Sequence, residues 1–217
     1  MSITQNLTEI KSQLPPHVTL VAVSKTKPVS DLMEAYNAGQ RTFGENKIQE
    51  MTDKWEQMPK DIEWHMIGHV QTNKVKFMAE YVSLIHGVDS LKLLQEINKQ
   101  AKKHNRVIDC LLQIHIAEEE TKFGLDEEEL NHILTSEDFK SLENIRIVGL
   151  MGMATFTENQ NQIEKEFSHL KTIFDKLKTQ NSELLTLSMG MSGDYQLAIS
   201  CGSTMVRIGS SIFGNRN

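Results

Sequence analysis

A strict alternation restricts the fold of this chain more than any other feature. Short apolar runs of strand type are each followed by a stretch with helical spacing. The strand candidates are Thr19 to Ser24, Arg41 to Gly44, Ile62 to Gly68, Tyr81 to His86, Val107 to Ile116, Ile145 to Met151, Leu184 to Ser188 and Thr204 to Ile208. A helix from about Thr4 to Leu14 leads, ended by Pro15-Pro16. Further helical patterns run from a Ser30 cap to Gly39, through Trp55, from Gln71 to Tyr81, and from a Ser90 cap to His104. Others cover Asp126 to Leu134, Gln160 to Thr179 and Asp194 to Ser200. Alternation of this kind makes the strands parallel, because each helix carries the chain back to the same end of the sheet. Eight strands are the number that closes a barrel. The expected fold is therefore α/β: one (β/α)8 TIM barrel over residues 1–217, with an extra N-terminal helix. An open doubly wound sheet is the alternative.

Composition narrows the function classes. With 39% hydrophobic and 24% charged residues the chain reads as globular and water-soluble. A net charge of -6 disfavours a general nucleic-acid binder, which needs clustered cations. The basic group Lys102-Lys103-His104-Asn105-Arg106 is local and reads as a helix end. No secretory signal or bilayer-length apolar run is present, so no membrane partner is expected. Cys110 and Cys201 lack metal-like spacing and read as buried, reduced thiols. A cytoplasmic monomer is the expectation, the latter because no long exposed apolar stripe asks for a mate.

Chemistry enters at Leu20-Val21-Ala22-Val23-Ser24-Lys25-Thr26-Lys27-Pro28. The strand ends in a lysine, where nearby low dielectric favours the free amine that attacks carbonyls. A solvated loop lysine is the ordinary alternative, and Lys25 and Lys27 share strand parity, so the pattern does not separate them. In a barrel of this kind the active site forms at the C-terminal strand ends. Asn46 follows the second strand there, and His65 and His69 flank the third. Met189-Gly190-Met191-Ser192-Gly193 follows the seventh, and Arg207-Ile208-Gly209-Ser210-Ser211 the eighth. Gly and Ser at the last two exits offer amides and hydroxyls to a phosphate. An amine facing that cradle suggests a phosphorylated aldehyde held as a Schiff base. Arg207, in an otherwise apolar strand, points to a site or to a structural ion pair. Beside the ring nitrogen of pyridoxal phosphate its permanent charge would keep that nitrogen unprotonated, making a poor electron sink.

Other features are read blandly. His65 and His69 have i, i+4 spacing but no accompanying Glu, so no metal is expected and a histidine packed at the barrel mouth is the reading. Trp55 and Trp64 are core or rim aromatics, and the eleven methionines fill core gaps. Glu118-Glu119-Glu120 reads as a solvated loop.

Several motifs together resemble the YggS/PROSC family of pyridoxal phosphate homeostasis proteins. They are Ala22-Val23-Ser24-Lys25-Thr26-Lys27-Pro28, Phe43-Gly44-Glu45-Asn46, Trp64-His65-Met66-Ile67-Gly68 with Gln71-Thr72-Asn73-Lys74, Ser188-Met189-Gly190-Met191-Ser192, and Gly202-Ser203-Thr204-Met205-Val206-Arg207-Ile208-Gly209. The resemblance runs from about Val18 to Gly214. It implies a barrel like the N-terminal domain of alanine racemase, with pyridoxal 5'-phosphate as cofactor. It also implies Lys25 as the Schiff-base residue in preference to Lys27, Asn46 near the ring, Arg207 facing the pyridine nitrogen, and Ser192, Gly209 and Ser210 on the phosphate. His115 stands where the family pattern leads one to expect Asn, and Met151-Gly152-Met153-Ala154 is a variant segment.

The resulting expectation is a cofactor-binding protein of vitamin B6 homeostasis without efficient catalysis, delivering its cofactor transiently to apoenzymes. Racemases of this type take a second base from a separate β-domain, for which the sequence leaves no room after its eighth strand. The alternatives are a monomeric amino acid racemase or a related pyridoxal phosphate enzyme, and an RNA-associated or structural module.

Overall fold

The structure, a computed structural model, describes residues 2–119 and 123–214. The alternation gives what it requires, a closed barrel of eight parallel strands in sequential order. They are β1 (Thr19–Val23), β2 (Thr42–Glu45), β3 (Glu63–Met66), β4 (Leu84–Val88), β5 (Ile108–Gln113), β6 (Ile145–Met151), β7 (Thr186–Met191) and β8 (Met205–Ile208). Closure is between the first and last: Thr19, Val21 and Ala22 lie in register with Met205, Arg207 and Ile208.

Alternate side chains of each strand face opposite ways, and both ways are buried. One set meets the helices in a broad outer core that includes Phe43, Trp64, Leu94 and Phe167. The other fills the barrel, where Val21, Leu84, Leu111, Met151 and Met205 form a small apolar plug. Gly44 is needed there. A Cβ at this position would come 2.8 Å from Val21 Cγ1, so glycine lets β2 pass the plug.

The helices are α1 (Ile3–Gln13), α2 (Val29–Asn37), α3 (Ile48–Gln57), α4 (Leu91–Lys103), α5 (Glu127–Thr135), α6 (Glu137–Lys140), α7 (Gln160–Lys178), α8 (Tyr195–Ser200) and α9 (Ser210–Phe213). The expected leading helix is α1. It buries Leu7 and Ile10 and is tied at Asn6, whose Nδ2 donates to the Ile212 carbonyl at 3.0 Å. Ser90 caps α4 as expected, accepting the Leu93 amide.

Three local expectations fail. Ser30 is not a cap: Pro28 occupies the N-cap position, and Ser30 lies within α2. The helix expected from Gln71 to Tyr81 is a 3₁₀ turn over Thr72–Phe77. Its burial period is helical, with Val75, Met78, Ala79 and Val82 inside, but much of its bonding is i→i+3, as in Tyr81 N–H to Met78 O. The fourth strand starts at Leu84, not Tyr81. Tyr81 lies outside it and stacks on Trp55 with ring centroids 4.4 Å apart. Of the two free cysteines only Cys110 is buried; Cys201 is half-buried at the end of α8. From the acidic run, Glu120 lies outside the described residues, as does Lys122. No helix among the described residues is long and apolar enough to cross a membrane, and none of their His, Cys, Asp and Glu side chains cluster as metal ligands would.

Candidate functional site

The strand exits of β1, β2, β7 and β8 open into one cavity of about 550 Å³ at the C-terminal end of the barrel. It is lined by all six residues singled out from the sequence: Lys25, Asn46, Ser192, Arg207, Gly209 and Ser210. Lys27 lines it too, so position alone does not separate the two lysines. Gln113, His69, Asp194 and the aromatic rim of Phe123 and Phe156 complete much of the wall.

Lys25 reaches the cavity because Val21, which faces the interior, sets the parity, and Val23 and Lys25 follow at two-residue steps. The backbone behind it is held hard. Thr26 sits at a φ of 65°, a left-handed conformation that costs a β-branched residue energy. The buried Lys54 amine of α3 clamps this turn, donating to Ser24 O, Glu45 Oε1 and Glu50 Oε1, each at 2.7 Å. Glu50 Oε1 accepts the Thr26 amide at 2.6 Å, and Glu45 Oε1 accepts the Ser24 hydroxyl at 2.6 Å. Glu45 is wholly buried, and its other oxygen has no hydrogen-bond partner among the described residues. Burial raises its carboxyl above the usual carboxylate range, against the opposing pull of Lys54 and Ser24. Sequence reasoning missed this clamp, because a lysine one turn after a glutamate on a helix reads as a solvated pair.

Asn46 follows β2 beside Gly68, where a Cβ would fall 2.4 Å from the Asn46 carbonyl oxygen. Glycine is thus what lets the β3 exit pass so close to Asn46. Opposite, the exits of β7 and β8 are joined: the Gly209 amide donates to Ser192 Oγ at 3.3 Å. Ser210 starts the short α9 turn, whose first amides have no acceptor within a helix by geometry. Asp194 stands on the same rim, its carboxylate accepting the Met191 amide at 2.6 Å.

Arg207 is 4% exposed and faces into the barrel. Burial pulls its guanidinium down to about 10, partly countered by Asp194, which leaves it charged at neutral pH. Its Nη1 donates to Ser188 Oγ at 2.6 Å and its Nη2 to the Gly152 carbonyl at 3.2 Å. The Asp194 carboxylate on the same rim acts on this cation as well.

Of the two histidines expected to flank the mouth, one does. His65 is not at the mouth but buried inside the barrel, toward the N-terminal ends of the strands. Its Nδ1 lies 3.0 Å from His86 Nε2. His69 is on the rim, stacked on Phe123 at 4.1 Å. His115 does not line the cavity; its Nε2 lies 3.0 Å from the Glu119 carbonyl.

The whole chain, residues 1–217, matches the family described as alanine racemase, N-terminal domain. A pyridoxal phosphate homeostasis protein of Vibrio alginolyticus is 40% identical, the match covering 100% of this chain and 98% of that protein. The structure of PipY of Synechococcus elongatus with pyridoxal phosphate bound is 35% identical. It superposes with a TM-score of 0.89 over 98% of this chain and 100% of PipY. An alanine racemase of Clostridium difficile, 17% identical, has a TM-score of 0.79 over 99% of this chain and 56% of the racemase, a likeness of fold alone.

Proposed function

The chain belongs to the alanine racemase N-terminal domain family and, within it, to the pyridoxal phosphate homeostasis proteins, and on that premise we propose that it binds pyridoxal 5'-phosphate at the barrel mouth and serves vitamin B6 homeostasis in the cytoplasm. The observation that carries this reading is the convergence of an amine, a buried guanidinium and a Gly-Ser cradle on one cavity. That donor set fits a phosphorylated aldehyde on an aromatic ring: amides and hydroxyls suit the phosphate, and the amine suits the aldehyde.

Bound pyridoxal phosphate supplies a reactive aldehyde and an electron-withdrawing ring. Lys25 would hold the group at its aldehyde through Nζ, the kind of amine that suits a carbonyl. Ser192 and Ser210 would offer hydroxyls and Gly209 a close backbone approach to the phosphate, and Asn46 would flank the ring. Arg207 would present a fixed cation to the ring nitrogen and give it no proton. A ring kept unprotonated draws electrons weakly, which supports a holder of the cofactor over an efficient catalyst. The holder acts as a monomer that passes its cofactor transiently to apoenzymes.

Borohydride reduction of the yellow protein followed by peptide mapping tests the site. The expected product carries one pyridoxyl group on Lys25; a label on Lys27, or no label, overturns the assignment. Optical rotation of several amino acids incubated with the holoprotein tests the absence of efficient catalysis. Racemisation at about 1 s⁻¹ or faster, in the range of ordinary enzymes, overturns the holder reading.

A further inference from the structure

The barrel interior contains a chain of polar side chains that the binding of a cofactor does not by itself require. Arg207 Nη1 donates to Ser188 Oγ at 2.6 Å, Ser188 Oγ lies 3.0 Å from His86 Nδ1, and His86 Nε2 lies 3.0 Å from His65 Nδ1. The four residues come from β8, β7, β4 and β3, so the chain crosses the barrel from wall to wall. All four are at most 4% exposed. Its far end reaches a second cavity, of about 570 Å³, at the N-terminal ends of the strands, which His65 lines.

The chemistry of the partners dictates the direction of every bond. An arginine has no acceptor, so Ser188 accepts from Arg207. Ser188 has a single proton and, among the described residues, only one other partner, so that proton goes to His86 Nδ1. His86 then carries its proton on Nε2 and donates it to His65 Nδ1. His65 in turn carries its proton on Nε2, the nitrogen left over once Nδ1 accepts. A dry interior makes any break in this order costly, because it would leave a buried donor without an acceptor. Burial also drives both imidazoles toward the neutral form, which the order requires: His65 is pulled down to about 3 and His86 well below its ordinary value.

We propose that Ser188, His86 and His65 are positioning residues that hold the Arg207 guanidinium in one orientation toward the mouth through this one-way relay. As a statement about the cofactor it rests on the function proposed above; as a statement about Arg207 and the histidines it does not. The carbonyl of Gly152 fixes Nη2 on the other side, so loss of the Ser188 bond leaves the guanidinium held at one point and free to swing. The relay passes no proton to the cofactor, since every donor points away from Arg207.

Two measurements test it. On the ligand-free protein labelled with nitrogen-15 histidine, two-bond proton–nitrogen spectra at neutral pH read the tautomers. Both His65 and His86 are expected neutral with the proton on Nε2, and Ser188→Ala is expected to lose the single tautomer at His86. With pyridoxal phosphate labelled at its ring nitrogen, wild type is expected to give the unprotonated signal. Ser188→Ala and His86→Leu are expected to shift it toward the protonated position, and Ser188→Thr, which keeps the hydroxyl, to restore it. The relay is overturned if either histidine is charged or carries its proton on Nδ1. It is also overturned if folded Ser188→Ala leaves both tautomers and ring signal unchanged. Should His86→Leu not fold, the Ser188 pair decides alone. Failure of wild type to take up the cofactor would sink the proposed function, while the ligand-free spectra would still decide the relay.

Discussion

Lys54 shows how one side chain outside the cavity braces the turn that carries Lys25 to it. Its amine is the shared donor of a clamp that holds Ser24 and, through Glu50, Thr26, on either side of Lys25. Replacing it by methionine keeps the stem and removes the charge. Glu45 is then buried without a cation, and removing one member of such a pair costs about 3–5 kcal/mol. Urea unfolding of Lys54→Met is expected to register that loss, and Lys54→Met combined with Glu45→Gln to recover a large part of it. A loss in Lys54→Met under about 1 kcal/mol, the size of an exposed pair, would show that the clamp is not structural. The place of Lys25 at the cavity was legible in the sequence because the strand ends abruptly in a lysine. The clamp was not, since burial of Lys54 depends on Glu45, from another element.

At the level of elements, the strands were easier to read than what joins them. Apolar runs such as Ile145–Met151 declare themselves, because both faces of a parallel strand are covered. The turn at Thr72–Phe77 misled because helical and 3₁₀ segments bury nearly the same side chains, and only the hydrogen bonds tell them apart. His65 was misplaced for a related reason: two-residue parity gives its facing direction but not its depth in the barrel. The leading helix α1 was visible from its spacing, but its job was not. It packs on α9, the turn that begins at Ser210, and anchors it through Asn6 and the Ile212 carbonyl. Leu7, 1% exposed, is the most deeply buried residue of α1. Leu7→Ala is expected to cost about 2–5 kcal/mol in stability, the range for emptying a core position. Hydrogen exchange should quicken at Ile212 and Phe213, whose amides both bond Gly209 O, before it does in β4 or β5. Equal quickening everywhere would mean that α1 does not brace the Ser210 turn.

For the molecule as a whole, a barrel that keeps two histidines neutral in its interior has a definite response to acid. An unfolded histidine titrates near 6.5, whereas folding lowers His65 to about 3 and His86 in the same direction. Below about pH 6.5 the unfolded chain therefore holds protons that the folded one lacks, and stability rises with pH. Each histidine contributes a slope of about 1.4 kcal/mol per pH unit, fully developed below about pH 6 and lost only near the folded value. Between pH 6 and 5, before most carboxylates titrate, the two slopes add. Urea unfolding across this window is expected to show stability rising with pH, offset in part by the opposite slope of the raised Glu45 carboxyl, and His86→Leu to remove one histidine's share of the rise. Equal slopes in wild type and His86→Leu would mean that His86 is not held neutral.

The closure of β1 on β8 has one more consequence, for how the protein is made. Lys25 leaves the ribosome early and Arg207 nearly two hundred residues later, yet their strands are neighbours. Until β8 arrives, β1 has an open edge and the mouth lacks one wall. A half-synthesised chain thus displays the amine without the cradle, and only a finished barrel offers both. The mouth is whole only once β8 has joined β1, so a small molecule that needs both walls would report closure of the barrel.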